Sequence, residues 1–177
     1  MAHIHSVYDT DLHFIIDPIT RAITNQGTKS KVIQYDHNSE RITFEMPRFV
    51  DGHDMTLCDK VEIHYANGHN KDIYTVDDKA LSPATDDVLI FSWLLSRNAT
   101  NYVGALRFSI RFACLTGEEI DYDWHTGVCS SIVVEEGINN TEAMIEENPD
   151  LLEAWKNSVD ERIDETNAIL ETLVEGA

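Results

Sequence analysis

With 177 residues, 42% of them hydrophobic, the chain holds enough apolar material for one packed domain and an appendage, which excludes wholesale disorder. Its formal charge of -19, from 32 acidic against 13 Lys and Arg residues, repels phosphate backbones at long range, so no nucleic-acid partner is expected. No run approaches the roughly 20 apolar residues of a membrane span. The opening MAHIHSVYDTD lacks the basic and apolar regions of a signal peptide, so no membrane partner is expected and the protein is read as folding in a cytoplasm. Cys58, Cys114 and Cys129 show neither a paired disulfide framework nor the close spacing of a zinc site, and read as small apolar residues in a reducing compartment.

In chain order, LHFII and RAIT are short strand candidates split by Asp17-Pro18, and residues 1–27 read as an N-terminal arm. ERITFEM then alternates Ile42, Phe44 and Met46 against Arg41, Thr43 and Glu45. KVEIHYA places Val61, Ile63 and Tyr65 opposite Glu62 and His64, and KDIYTV follows less cleanly. DVLIFSWLL is an unbroken apolar run, as expected of a strand buried on both faces. RFSIRFACL sets Phe108, Ile110, Phe112 and Cys114 on one face, and EIDYDWH does the same with Ile120, Tyr122 and Trp124. SSIVVEE closes the series.

Turn residues separate these runs: Asp51-Gly52, Asn67-Gly68, Ser82-Pro83 and Thr116-Gly117. Asn67-Gly68 is the strongest hairpin signal, because both residues tolerate the positive φ of a type I′ turn. About seven to nine short strands with no amphipathic helix between residues 30 and 135 imply an all-β antiparallel sandwich over residues 28–137.

Near Gly137 the composition shifts. Residues 135–177 carry 13 acids and only Lys156 and Arg162 as bases. Asn148-Pro149-Asp150 is a helix start, with Asn to cap free amides, Pro fitted to the first turn and an acid at the positive helix end. From there Leu152, Val159, Thr166 and Leu173 recur every seven residues, interleaved with Lys156, Ile163 and Leu170. That is an a/d seam of roughly three heptads on a helix about 38 Å long. So thin a stripe on an acidic helix calls for copies of itself, and residues 138–177 read as an acidic linker and a C-terminal coiled-coil helix. Leu152, Trp155, Val159, Ile163, Leu170 and Leu173 are the oligomerisation residues this implies. The alternative is one helix folded back on the sandwich.

Chemistry is harder to find. His3 and His5 lie near the N-terminus, and His53 stands between Asp51 and Asp54, where oxygen and nitrogen donors for a cation meet an Asp-Gly turn that explains the same residues. Glu62, Asp121 and Asp123 could form an acid pair of the kind glycosidases use, but they fall on a strand face where carboxylates are common and mostly inert. No G-x-S-x-G, P-loop or G-x-G-x-x-G occurs. The expectation is no catalytic residue, no metal and no cofactor. Tyr65, Tyr122 and Trp124 are candidate sugar-stacking rings for a carbohydrate-binding module, with a host glycan as partner, although Trp124 shares the inward face with Ile120.

The segment KSKVIQYDHNSERITFEMPRFVDGHDMTLCDKVEIHY, followed by VLIFSWLLSRNATNYVG, YVGALRFSIRFACL and SSIVVEEGI, resembles the N-terminal domain of phage baseplate upper proteins and related domains in prophage tail regions of gut Firmicutes. The shared layout is a Gln34-x-Asp36 opening, a covering strand KVEIHYA, an ILSW-like run, a long strand and a closing strand that leads to a helix. The resemblance spans about residues 28–138. It implies a virion structural protein with no enzymatic role, a domain that anchors a receptor-binding apparatus, and a following helix that forms a three-stranded homo-oligomer. It also implies other virion proteins as partners, in tail or baseplate, and assembly in the bacterial host cytoplasm. Because the sequence ends soon after the helix, no separate receptor-binding head is expected. An adaptor, or a capsid-attached head fibre or decoration protein, is therefore an alternative to a tail-fibre-type anchor.

Overall fold

The computed structural model describes residues 12–139. The chain divides into two units, Met1–Gly137 and Ile138–Ala177, and all described residues except Ile138 and Asn139 belong to the first. His3, His5 and the heptad residues Leu152, Trp155, Val159, Ile163, Leu170 and Leu173 lie outside the described residues.

Two sheets form a sandwich-like arrangement around an aromatic core. The first contains β1 (Leu12–Ile16), β2 (Ile23–Asn25), β4 (Arg41–Pro47), β9 (Ala80–Leu81) and β10 (Val88–Leu94) in the order β2-β1-β4-β10-β9. The second contains β3 (Lys31–Ile33), β7 (Lys60–Asn67), β8 (Asn70–Thr75), β11 (Gly104–Thr116), β12 (Glu119–His125) and β13 (Cys129–Glu135). Its order is β3-β13-β11-β7-β8, with β12 also on β11. The small ribbon β5 (Phe49–Val50) and β6 (His53–Asp54) stands apart.

β11 is the longest strand at 13 residues and organises its sheet. One side pairs with β7 from Arg107 to Ala113. The other pairs first with β13 and then with β12, with register shifts between Leu106 and Phe108 and between Cys114 and Leu115. The strands number thirteen among the described residues, more than the seven to nine expected, because several are pieces of two or three residues with no readable period. Nor is the sandwich wholly antiparallel: β1 runs parallel to β4, and β3 parallel to β13. A parallel pair needs a crossover connection, and the chain between β1 and β4 supplies one by visiting the other sheet as β3.

The N-terminal arm needs correction. Leu12, Phe14 and Ile16 are fully buried, and β1 lies inside the first sheet between β2 and β4. These strands belong to the sandwich because an apolar i, i+2, i+4 face has nowhere else to be covered.

The inward faces of β4, β7 and the middle of β11 follow the alternation, whereas Ile120 on β12, expected inward with Trp124, is 50% exposed beyond the register shift after Cys114. Phe44 packs on Phe91 with ring centroids 5.2 Å apart and on Phe14 at 5.8 Å, within its own sheet. Phe108 on the facing sheet touches Phe44, Phe14 and Trp93 edge-on at 5.4–5.8 Å. Such edge-to-face contacts bring the positive rim of one ring to the negative face of another.

β10 is not apolar-covered on both sides, as its composition suggested. Leu89, Phe91 and Trp93 point inward, while Ser92 on the outer face is buried under a polar clasp. The Ser92 amide donates to Asp78 Oδ1 at 2.9 Å, its hydroxyl donates to Asp78, and Arg41 Nη1 donates to Ser92 Oγ at 2.6 Å.

The turns reverse one expectation. Asp51 and Gly52, at φ 50° and 78°, connect Val50 to His53 as a type I′ pair. At the β7–β8 hairpin Asn67 is the closing strand residue, paired with Asn70, and only Gly68 of the two loop residues has positive φ, as in a type II′ turn. Asn67 is instead buried, its amide donating to the Tyr102 carbonyl and accepting from the Tyr102 amide, both at 2.8 Å. The Tyr102 ring lies over Gly68, where an added Cβ would fall 2.5 Å from Cγ. Gly68→Ala therefore meets both a left-handed backbone and a wall. The backbone alone costs about 1–2 kcal/mol, and urea unfolding should show a lower midpoint at an unchanged m-value. A midpoint equal to that of wild type would refute this account of the hairpin.

The cysteines are also corrected. Cys58 and Cys114 form a disulfide, with Cα atoms 4.2 Å apart, and only Cys129 is free among the described residues. The pair is 56 residues apart in sequence, and the β7–β11 ladder, by pairing Lys60 with Ala113, brings the two ends together.

Candidate functional site

The outer face of the second sheet carries a cluster of polar side chains. β7 turns Glu62, His64 and Ala66 outward, opposite Thr75, Ile73 and Lys71 on β8 and Arg111, Ser109 and Arg107 on β11. At one end of this face an open groove of about 570 Å³ runs across β8, β7 and β11. His64, Lys71, Asp72, Arg107 and Ser109 give it polar walls, and Ile73 and Val128 give it apolar ones. In a chain of charge -19 this is a local concentration of cationic side chains beside exposed aliphatic surface.

At the other end Arg111 ties three strands together. Its Nε and Nη2 donate to the two oxygens of Asp123 on β12 at 2.8 and 3.1 Å, and its Nη1 donates to Glu62 on β7 at 3.0 Å. This two-pronged geometry fits a planar guanidinium to a carboxylate. It holds the Arg111 pKa above its ordinary value, chiefly through the Asp123 hydrogen bonds. The Asp123 carboxyl is held below its ordinary value by Arg111, with His125 assisting from 3.1 Å. For Glu62, burial pushes upward, but hydrogen bonds from His64 and Arg111 outweigh it and the net shift is downward. A glycosidase acid needs the opposite, a carboxyl whose pKa is raised so that it keeps its proton. Asp121 is engaged separately, accepting from the Thr116 hydroxyl. The three acids singled out by sequence thus serve as an ionic clamp and a turn contact.

Of the candidate sugar-stacking rings, two are inside. Trp124 is 2% exposed, packed on Phe112 at 5.9 Å and covered by the Arg21 guanidinium at 5.2 Å. Tyr65 is 6% exposed, its ring against Trp93 at 5.0 Å. Burial raises the Tyr65 hydroxyl pKa, and that hydroxyl lies 3.4 Å from both Asp72 and Ser96. Neither ring offers a free face, which corrects the stacking-platform expectation for both. Tyr122 is half-buried and already stacked on His53, with centroids 3.9 Å apart and planes 11° apart.

His53 does not form an oxygen-rich cation site with Asp51 and Asp54. The Asp54 carboxylate is taken by Arg48 at 3.0 and 3.2 Å and by the Thr56 amide and hydroxyl at 3.0 and 2.6 Å. These contacts, Arg48 foremost, hold its pKa well below the usual carboxylate range. Among the described residues, the metal-type donors that converge are His53, Cys58 and Cys114. Sequence reading missed this set because its members come from β6, the turn before β7 and the far end of β11.

No helix among the described residues is long and apolar enough to cross a membrane. No protein-family model matches the chain, and no curated protein matches it. Among solved structures, the N-terminal domain of phage TP901-1 ORF48 is a structural neighbour at TM-score 0.47 and 16% identity, over 71% of this chain and 99% of that one.

Proposed function

We propose that the chain is a structural, non-enzymatic protein of a phage virion, assembled in the host cytoplasm, whose sandwich docks on another virion protein. Its C-terminal segment self-associates through the heptad seam, as a trimer. The observation that carries this reading is the strand layout. The stretches that resemble phage baseplate upper proteins coincide with β4, β7, β10, β11 and β13, the strands that hold most of the core. The overlap with the ORF48 domain is too shallow to carry the function, which rests on that layout and on the seam.

The groove across β8, β7 and β11 is the face we assign to docking, because it joins Lys71 and Arg107 to the exposed Ile73 and Val128. Contact surfaces favour such a mixture of apolar area with arginine. The seam supplies self-association: Leu152, Val159, Ile163, Leu170 and Leu173 make a stripe too narrow to form half of a globular core.

The test is sedimentation of the full chain beside its Ile163→Asp variant. Wild type is expected to sediment as a trimer. The variant, with a charge set into the seam, is expected to sediment as a monomer with unchanged β-sheet circular dichroism. A wild-type chain that is monomeric at micromolar concentration removes self-association from the reading.

A further inference from the structure

We infer that His53, Cys58 and Cys114 form a thiol-gated site for a soft divalent cation of the zinc type. The site is closed when the two sulfurs are joined, and it becomes a three-ligand His/Cys/Cys site when they are free. The donor atoms of the three residues all lie within 4.8 Å of one another. His53 Nε2 is 3.5 Å from Cys114 Sγ. Two ligands sharing a tetrahedral zinc, with Zn–N near 2.0–2.1 Å and Zn–S near 2.3 Å, stand about 3.6 Å apart. The imidazole and one sulfur are therefore already spaced as neighbours in a metal's coordination shell. The second sulfur needs only side-chain rotation to join them, since the ladder holds the Cα atoms of Cys58 and Cys114 4.2 Å apart whether or not the sulfurs are bonded.

The supports around these residues are those of a positioned site. Stacking on Tyr122 fixes the plane of the His53 ring. The segment from His53 to Cys58, which supplies two of the three ligands, is pinned at several points. Asp54 caps the 3-10 turn Met55–Leu57 and grips Arg48. The Met55 amide donates to the Arg48 carbonyl at 2.9 Å. Lys79 Nζ donates to the carbonyls of Thr56, at 3.0 Å, and Cys58. Across the gap the Leu115 amide donates to Asp59 at 2.6 Å, directly after the register shift that follows Cys114. Bulges of this kind re-aim a side chain at the rim of a sheet. Ligands held in advance in this way lose little freedom when a metal arrives.

A dithiol reductant delivers two electrons and two protons and is itself oxidised to a cyclic disulfide. The Cys58–Cys114 bond breaks and each sulfur becomes a thiol. The cation then displaces one proton from each thiol, and two thiolates with a neutral imidazole leave the site uncharged. Charge neutrality matters because Cys58 is buried, while His53 and Cys114 are half-buried and leave room for water as a fourth ligand. Thiolate and imidazole donors select zinc-like ions over magnesium or calcium, which prefer oxygen.

The experiment uses the full chain, reduced with a phosphine, desalted without oxygen and titrated with Co²⁺ and then Zn²⁺. One equivalent of Co²⁺ should produce thiolate-to-cobalt charge-transfer absorption that Zn²⁺ abolishes, while the oxidised chain produces none. That signal separates this site from histidine-only binding, including any by His3 and His5. His53→Gln should keep the absorption but weaken Co²⁺ binding about 10-fold or more, and Cys58→Ser or Cys114→Ser should remove it. Reduced wild type that keeps its β-sheet circular dichroism but shows no charge transfer overturns the inference. So does a reduced chain that unfolds, or full absorption in the Cys58→Ser/Cys114→Ser double variant, which would assign the signal to Cys129.

Discussion

Phe44→Ala is expected to destabilise the sandwich by about 3–5 kcal/mol, the range of fully buried aromatic truncations. Phe44 is completely buried on β4, in the middle of the first sheet. Its ring meets Phe91 and Phe14 beside it and Phe108 across the core. Truncation loses the transfer energy of the ring, three aromatic contacts and the packing of a space that its rigid neighbours cannot refill. The β1 pairing raises the cost: Phe14 sits directly opposite Phe44 in the parallel register, so a collapse at Phe44 also loosens β1. Urea unfolding should show the shift as a lower midpoint, while Ile73→Ala on the outer face should stay within about 0.5 kcal/mol of wild type. A loss below about 1 kcal/mol for Phe44→Ala would mean that the two sheets do not meet at this ring.

Reducing the Cys58–Cys114 bond is expected to lower stability by about 2–4 kcal/mol. The bond closes a loop spanning 56 residues of sequence, so the unfolded chain gains considerable freedom when it opens. In the folded chain, by contrast, the β7–β11 ladder and the Lys79 and Asp59 contacts hold the same ends in place. The cost falls on the unfolded state and the native fold persists, since it lies within the 5–15 kcal/mol typical of domains. Oxidised and reduced wild type, with the Cys58→Ala/Cys114→Ala variant as a third sample, give the measurement by denaturant unfolding. If zinc binds the reduced site, saturating zinc should restore part of the loss, about 2.7 kcal/mol at a hundred times its Kd. Equal stabilities for oxidised and reduced chains would show that the bond contributes nothing to the fold.

These two residues sets also mark how far the sequence could be read. The alternation in ERITFEM, KVEIHYA and RFSIRFACL assigned Phe44, Ile63 and Phe108 to inward faces, and all three are buried. Period-2 patterning is a local property, so each strand's apolar side is written in its own residues. The functional surfaces were less accessible. The engagement of Glu62, Asp121 and Asp123 by Arg111 and Thr116, and the covering of Tyr65 and Trp124 by Trp93, Phe112 and Arg21, come from other segments of the chain and leave no local trace. The Asp51-Gly52 turn beside His53 is legible, but Cys58 and Cys114, whose sulfurs converge on its ring, come from other elements.

By itself the sequence determined the longer strands, most of their inward faces and the main turns between them. Only the tertiary structure decided that β1 lies inside a sheet and parallel to β4, that β11 is shared among three partners, and that Cys58 meets Cys114 beside His53. The physical reason is range. A strand's pleat exposes its preference through neighbours two residues away, whereas pairing, register and side-chain convergence are settled by contacts between segments tens of residues apart.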